Sequence, residues 1–428
     1  MTRNLSDICI YNAKLEGKGF VGLVFENGDL KVYFPLGYRS AGNDDERRKD
    51  ILNLISVLGS FMEKDSSVDS YKSENKKPEP GFPIQAYLRV ISDFLVHGYY
   101  RETETEYSKS LSGKIDWRKT IKTIQPDLIG DNLIFLRFIT RKSLNNENEL
   151  ISQIHKYCVY EAFLRIGSIF FPSFLPAKPQ VEYNERLFKS VINLKLSKTF
   201  NERNIVLFND MKQIIDHLDS SGAIKRNCRY GTEEFEYVWE RLVDHVYGVP
   251  NKGNYYPHTE WHIGGKVFDD SDVDYKKNAL RPDTIMLVDD DVNKEVFVLD
   301  SKYYKYGKQR SAISLPGTDS IIKQIAYGKY VENNKEHPEL RVKGDSIFNA
   351  FILPFDSQSG NLPEVFGYAQ TTYEKNDKPY HKVYGVLLDV KDLMYHHAYH
   401  DNSKISILAE TIKNHAESIS KGSVTTNG

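Results

Sequence analysis

The chain has 428 residues, enough for two or three domains, and its 40% hydrophobic and 27% charged residues are the composition of a globular protein with a sizeable core. A net charge of −2 excludes a global basic field, so any nucleic-acid contact has to be a local patch. No run of about 18 uncharged apolar residues exists to span a bilayer, and the first seven residues lack the charged head and apolar core of a signal peptide. The three cysteines, Cys9, Cys158 and Cys228, are too scattered for a disulfide framework or zinc knuckle. A cytoplasmic protein with no membrane partner is expected.

Residues 1–100 read as a small β-rich module with helices. Ile8 to Tyr38 alternates apolar and polar residues around Asn27-Gly28, a tight-turn signal. Asp44 to Met62 carries Ile51, Leu54, Ile55, Leu58 and Met62 at helical spacing, and Ile84 to His97 repeats the pattern with Tyr87, Leu88, Ile91 and Leu95. Between them, residues 63–83 are rich in Lys, Glu, Ser and Pro and read as a mobile linker. Residues 101–225 are expected to be mainly helical. An extended segment from Tyr107 to Thr120 and a strand from Asn132 to Arg141 precede helices over 148–169, 184–196 and 202–218.

Residues 226–415 form the third region. The spacing predicts a helix over Thr232–Tyr247, capped by Thr232 and burying Phe235, Val238, Trp239, Leu242, Val243 and Val246. A strand near Thr259–Val267, a hairpin, a helix after Leu315-Pro-Gly-Thr-Asp319, and strands over 346–355 and 382–390 follow. The tail, residues 416–428, is expected to be disordered. The fold class is α/β (α+β), with a C-terminal mixed sheet flanked by helices.

The hairpin carries the chemistry. Its arms, Thr284–Val288 and Glu295–Leu299, are β-branched or apolar, and the segment between them is turn chemistry. Pairing symmetric about Asp291 and Val292 puts Asp283 opposite Asp300, with β-carbons within about 5 Å. Strand alternation puts Asp300 and Lys302 on one face and turns Ser301 away, its carbonyl free to coordinate. Two facing carboxylates and an adjacent ammonium describe a Mg²⁺ site suited to phosphodiester hydrolysis. Glu236 and Glu240, one helical turn apart, could each reach such an ion.

Lys302 to Arg310 holds four cations, three tyrosines and no acid, so Tyr304, Lys305, Lys308 and Arg310 are candidate DNA contacts. His396, His397 and His400, and the acidic loop with Asp269, Asp270, Asp272 and Asp274, read as solvated surface.

Pro282-Asp283 with Asp300-Ser301-Lys302 resembles the PD-(D/E)xK nuclease superfamily. With Phe235-Glu-Tyr-Val-Trp-Glu240, Leu315-Pro-Gly-Thr-Asp319 and Lys323-Gln324-x-x-Tyr327, the C-terminal half is similar to LlaJI-family restriction endonucleases and, more broadly, to McrC-like nuclease subunits. Gly113-Lys-Ile-Asp-Trp117, Phe138-Ile-Thr-Arg-Lys142 and Ile154-His-Lys-Tyr-Cys158 extend the resemblance over roughly residues 105 to 390. It implies a restriction nuclease acting on foreign double-stranded DNA in phage defence, with Glu236 completing the metal site and Gln324 and Tyr327 fixing Lys302 or the backbone. Mg²⁺ is the implied cofactor, with Mn²⁺ as a substitute.

The resemblance also implies a McrB-like AAA+ GTPase partner docked on the N-terminal half. The chain has no Gly-x-x-x-x-Gly-Lys-Ser/Thr loop, so GTP would enter only through that partner. Two alternatives are a self-sufficient type II-like endonuclease and a non-cleaving assembly factor that stimulates a partner GTPase.

Overall fold

The computed structural model describes residues 4–12, 19–26, 29–62, 81–130, 132–146, 149–218, 228–257, 260–268, 280–289, 294–357, 363–372 and 376–424. Asn27-Gly28, most of the expected linker, the acidic loop and the hairpin turn lie outside them. The chain divides into a larger unit of residues 4–24, 31–77 and 231–428 and a smaller one of residues 1–3, 25–30 and 78–230.

The larger unit is built on a five-stranded mixed sheet. In chain order the sheet and the helices around it are α1 (Asp44–Met62), α2 (Phe235–Tyr247), β1 (Thr284–Asp289), β2 (Lys294–Ser301), α3 (Thr318–Asn333), β3 (Ile347–Phe355), β4 (Glu364–Gln370), β5 (Lys382–Asp389), α4 (Val390–Tyr395) and α5 (Asn402–Val424). The sheet order is β1-β2-β3-β5-β4. The β1–β2 and β5–β4 pairs are antiparallel, and β2–β3 and β3–β5 are parallel. Strands β3 and β5 are buried along almost their whole length, which is why they read as continuous apolar runs rather than as alternating ones. Helix α3 packs Tyr327 and Val331 into a cluster with Val296 and Val298, alternate residues of β2.

Part of the N-terminal segment belongs to this unit. Leu36 N–H donates to Tyr303 Oη at 2.6 Å, and Arg241 donates to the Phe61 carbonyl at 2.8 Å. Asp50 is fully buried and accepts from Lys391 Nζ and Tyr395 Oη, each at 2.8 Å, so its charge is met inside the core.

The smaller unit packs helices Ile84–His97, Leu150–Ala162, Glu185–Leu196 and Glu202–His217. It also holds a three-stranded sheet of Glu102–Ser110, Phe138–Asn146 and Lys114–Ile115, and a hairpin of Asp127–Ile129 with Asn132–Ile134. Asp210, 2% exposed, takes a two-pronged bond from Arg89 at 2.6 and 2.9 Å.

Several expectations need correction. The strand over 132–141 is two strands in different sheets. The helix over 148–169 is interrupted by a π turn at Phe163–Gly167, where the Phe163 ring lies on Gly167 so closely that a Cβ would sit 2.7 Å from it. Where a single strand is expected near Thr259–Val267, the chain forms a small hairpin, Trp261–Ile263 with Lys266–Phe268, turned by Gly264 and Gly265 at positive φ. Thr232 ends a strand, and its Oγ1 accepts the Glu234 N–H at 3.0 Å, while α2 itself begins at Phe235. Strand β4 was not expected, because its exposed positions and its register shift between Val365 and Gly367 break the alternation. Where a disordered tail was expected, α5 runs on to Val424. Among the described residues no helix is long and apolar enough to cross a membrane.

Candidate active site

The hairpin register is the one the sequence predicts. Thr284 pairs with Leu299 and Asp289 with Lys294, so Asp283, one residue beyond the ladder, falls opposite Asp300. The Asp283 carboxylate curls back onto β2, where Oδ2 accepts the Ser301 N–H at 2.8 Å. Lys302 N–H donates the other way, to the Ile352 carbonyl of β3 at 2.8 Å. An extended residue points its N–H and C=O to the same side, so the Ser301 carbonyl lies on the Asp283 side of β2. Lys302 Nζ sits 2.7 Å from Asp300 Oδ2, with both side chains largely buried.

Burial, the nearby Asp300 charge, a carboxyl–carboxyl hydrogen bond with Asp300 and the Glu240 charge push the Asp283 carboxyl well above the usual carboxylate range; the Ser301 N–H works against them. Two acids pressed together, with one ammonium that bonds only Asp300, leave an unmet negative charge when both ionise. Burial alone would lower the Lys302 ammonium, but Asp300 and then Asp283 outweigh it and hold Lys302 above its ordinary value.

Of the two acids on helix α2, Glu240 rather than Glu236 is the one whose charge reaches the pair. Burial raises Glu240, Lys302 opposes the rise, and Asp300 and Glu236 add to it; Glu240 is also the helical acid that acts on Asp283. Glu236 acts on Glu240 and on Tyr303 at the other end of the helix. Among the described residues no three His, Cys, Asp or Glu side chains stand close enough to hold a metal as a complete cluster, the three histidines near residue 400 included.

Gln324 does not hold Lys302. It is 1% exposed, its side-chain amide is without a hydrogen-bond partner among the described residues, and its main-chain carbonyl accepts from Asn349 at 2.8 Å. Tyr327 faces the pair: burial, then the Asp300 and Asp283 charges, push its hydroxyl up to about 12.

The basic segment is less free than its composition implied. Arg310 forms a two-pronged pair with Glu364 of β4 at 3.0 and 3.2 Å, and Lys308 lies 3.9 Å from Asp356. Tyr304 is 39% exposed and Lys305 half-buried. Sequence reasoning missed Lys252 and Asp244, which join α2 to the hairpin: Lys252 Nζ donates to Asp244 Oδ2 at 2.6 Å and to the Asp283 carbonyl at 2.5 Å. The only sequence signal was that Glu236, Glu240 and Asp244 recur every fourth residue, one acidic stripe along a helix.

The larger unit is thus a mixed sheet whose antiparallel edge hairpin ends in a carboxylate pair and a lysine. The chain belongs to the LlaJI restriction endonuclease family, whose model matches residues 20–391. It is 27% identical over 369 residues to the "Type II restriction enzyme BsuMI component YdjA" of Bacillus subtilis (strain 168), covering 81% of this chain and 74% of that protein. A solved assembly of Thermococcus gammatolerans McrB AAA+ hexamers with bound McrC matches 92% of this chain and 82% of its own, at 15% identity and a TM-score of 0.36.

Proposed function

We propose that the chain is a Mg²⁺-dependent endonuclease of the PD-(D/E)xK type, hydrolysing phosphodiesters of foreign double-stranded DNA within a restriction system. The observation that carries this reading is the register that brings Asp283 and Asp300 together with Lys302 Nζ 2.7 Å from Asp300. The donor set is all oxygen, and repulsion within it is what a hard cation relieves. Asp283, Asp300 and the Ser301 carbonyl would hold Mg²⁺, or Mn²⁺ in its place, with Glu240 rather than Glu236 completing the carboxylates.

The ion would supply Lewis-acid polarisation and a more acidic water. Lys302, held by Asp300, would orient the attacking water or meet charge developing on the phosphate. Tyr304 and Lys305 would meet the DNA backbone, joined by Lys308 and Arg310 once these leave their carboxylates.

The relative's designation as a component supports a multi-subunit enzyme; that the partner is a McrB-like AAA+ GTPase rests on the motif resemblance alone. Its designation as type II favours, as a second reading, a self-sufficient type II-like endonuclease. Cleavage of plasmid DNA with Mg²⁺ by wild type and Lys302→Ala, each with and without the GTPase subunit and GTP, separates them. Cutting by wild type only with partner and GTP supports the first reading, and cutting by wild type alone the second. Identical behaviour of the two proteins in every mixture overturns both.

A further inference from the structure

Asp283 has a positional problem that Asp300 does not. Asp300 sits within β2, held by the ladder to β3, whereas Asp283 lies one residue beyond the ladder of the edge strand β1. Its carboxylate makes one bond to a main-chain N–H, and its neighbour Pro282 has no N–H to anchor the approach. The approach is also charged against itself, since Asp283 must stay beside Asp300. Something outside the sheet has to hold this corner.

We propose that Lys252 is the positioning residue that fixes Asp283 for divalent-cation binding, and that Asp244 exists to hold Lys252. This inference rests on the reading of Asp283 and Asp300 as cation ligands. Lys252 opens a short 3-10 turn, Lys252–Tyr255, just after α2, and reaches back to Asp244 and across to the Asp283 carbonyl. The carbonyl and the carboxylate share one α-carbon, so pinning one limits where the other can go. The ammonium touches the main chain rather than the carboxylate, so it steadies Asp283 without taking up the oxygens a cation needs.

The sequence around it is shaped for this reach. Gly248 follows α2 directly, and a Cβ there would lie 2.4 Å from Asp244 Oδ1 and 2.5 Å from the Asp244 carbonyl, so only glycine lets the chain turn so close to Asp244. Val249 N–H then donates to the Ile285 carbonyl at 2.9 Å, tying the same loop to β1 two residues beyond Asp283. Helix α2 thus contributes twice from one face: Glu240 by its charge near the pair, and Asp244, four residues on, through Lys252.

The test is Mn²⁺ affinity, measured on the full chain by titration calorimetry and by electron paramagnetic resonance, for wild type, Lys252→Met, Lys252→Arg and Asp300→Asn, each also melted without metal. Lys252→Met is expected to bind Mn²⁺ roughly ten- to a hundredfold more weakly, in the range seen when a ligand's supporting partner is removed, and Lys252→Arg to recover part of the loss. Equal Mn²⁺ affinity in Lys252→Met and wild type, with or without a lower melting temperature, overturns the proposal and leaves Lys252 a structural clamp. If wild type itself binds no Mn²⁺, or Asp300→Asn binds as wild type does, it is the cation-site reading that fails, and the proposal with it.

Discussion

Two aspartates, one in each unit, are treated in opposite ways. Asp210 in the smaller unit is 2% exposed and meets both prongs of the Arg89 guanidinium. Asp283 in the larger unit is pressed against Asp300, and the lysine beside them bonds Asp300. The first arrangement is closed, every oxygen answered by a cation, and its business is to hold helices together. The second is left short of positive charge, which costs stability in the isolated chain and is tolerated where a ligand completes it.

The largest effect that would sharpen this contrast is on cleavage. Asp300→Asn is expected to lower the DNA cleavage rate on the order of 10³-fold, read from plasmid linearisation under conditions where wild type cuts, while the protein still folds. Near-wild-type cutting would remove the site from the hairpin. Arg89→Met probes the other arrangement. Leaving Asp210 buried and unpaired should cost about 3 kcal/mol, the lower end for a broken buried pair because Arg89 is itself 49% exposed. Denaturant melts should show the loss, with Mn²⁺ affinity unchanged.

A third effect depends on pH and belongs to the smaller unit alone. His155 is fully buried, and its Nδ1 accepts the Tyr100 N–H at 2.9 Å, so the ring must stay neutral. Burial lowers its pKa from 6.5 to about 4. A depressed histidine contributes stability that is complete above the unfolded value and is lost as pH falls from 6.5 towards 4. Between pH 6.5 and 5 the loss should be about 2 kcal/mol, and His155→Gln should flatten that slope in melts across the range.

The smallest effect is at the surface. Glu364→Gln should change stability by less than about 1 kcal/mol, as for other exposed pairs. Releasing Arg310, it should tighten DNA binding a few-fold at low salt, measured by fluorescence anisotropy. Unchanged binding would remove Arg310 from the DNA surface.

The hairpin was legible because its information is local: a polar turn flanked by β-branched arms fixes one register, and period two then decides which residues face each other. The boundaries of α1 and of the helix Ile84–His97 were legible for the same reason. What the sequence left open depends on how distant elements dock. Helical spacing makes Glu236 and Glu240 equivalent, and the choice between them rests on how α2 lies against β1 and β2. The Asp50–Lys391 pair joins residues 341 apart, and nothing local marks either as a buried ion pair. That the strand expected over Asn132–Arg141 is two, and that β4 exists, was hidden because Asn132–Ile134 and β4 have exposed faces that carry little apolar alternation.

Melting wild type and Asp283→Asn with and without Mg²⁺ tests the site most directly. If Asp283 and Asp300 form an unfinished cation site, Asp283→Asn should melt above wild type without metal, because it removes the repulsion, and should gain nothing from Mg²⁺, while wild type gains. If Asp283→Asn instead melts below wild type and both respond to Mg²⁺ alike, Asp283 is a structural acid like Asp210, and the hairpin is not the active site.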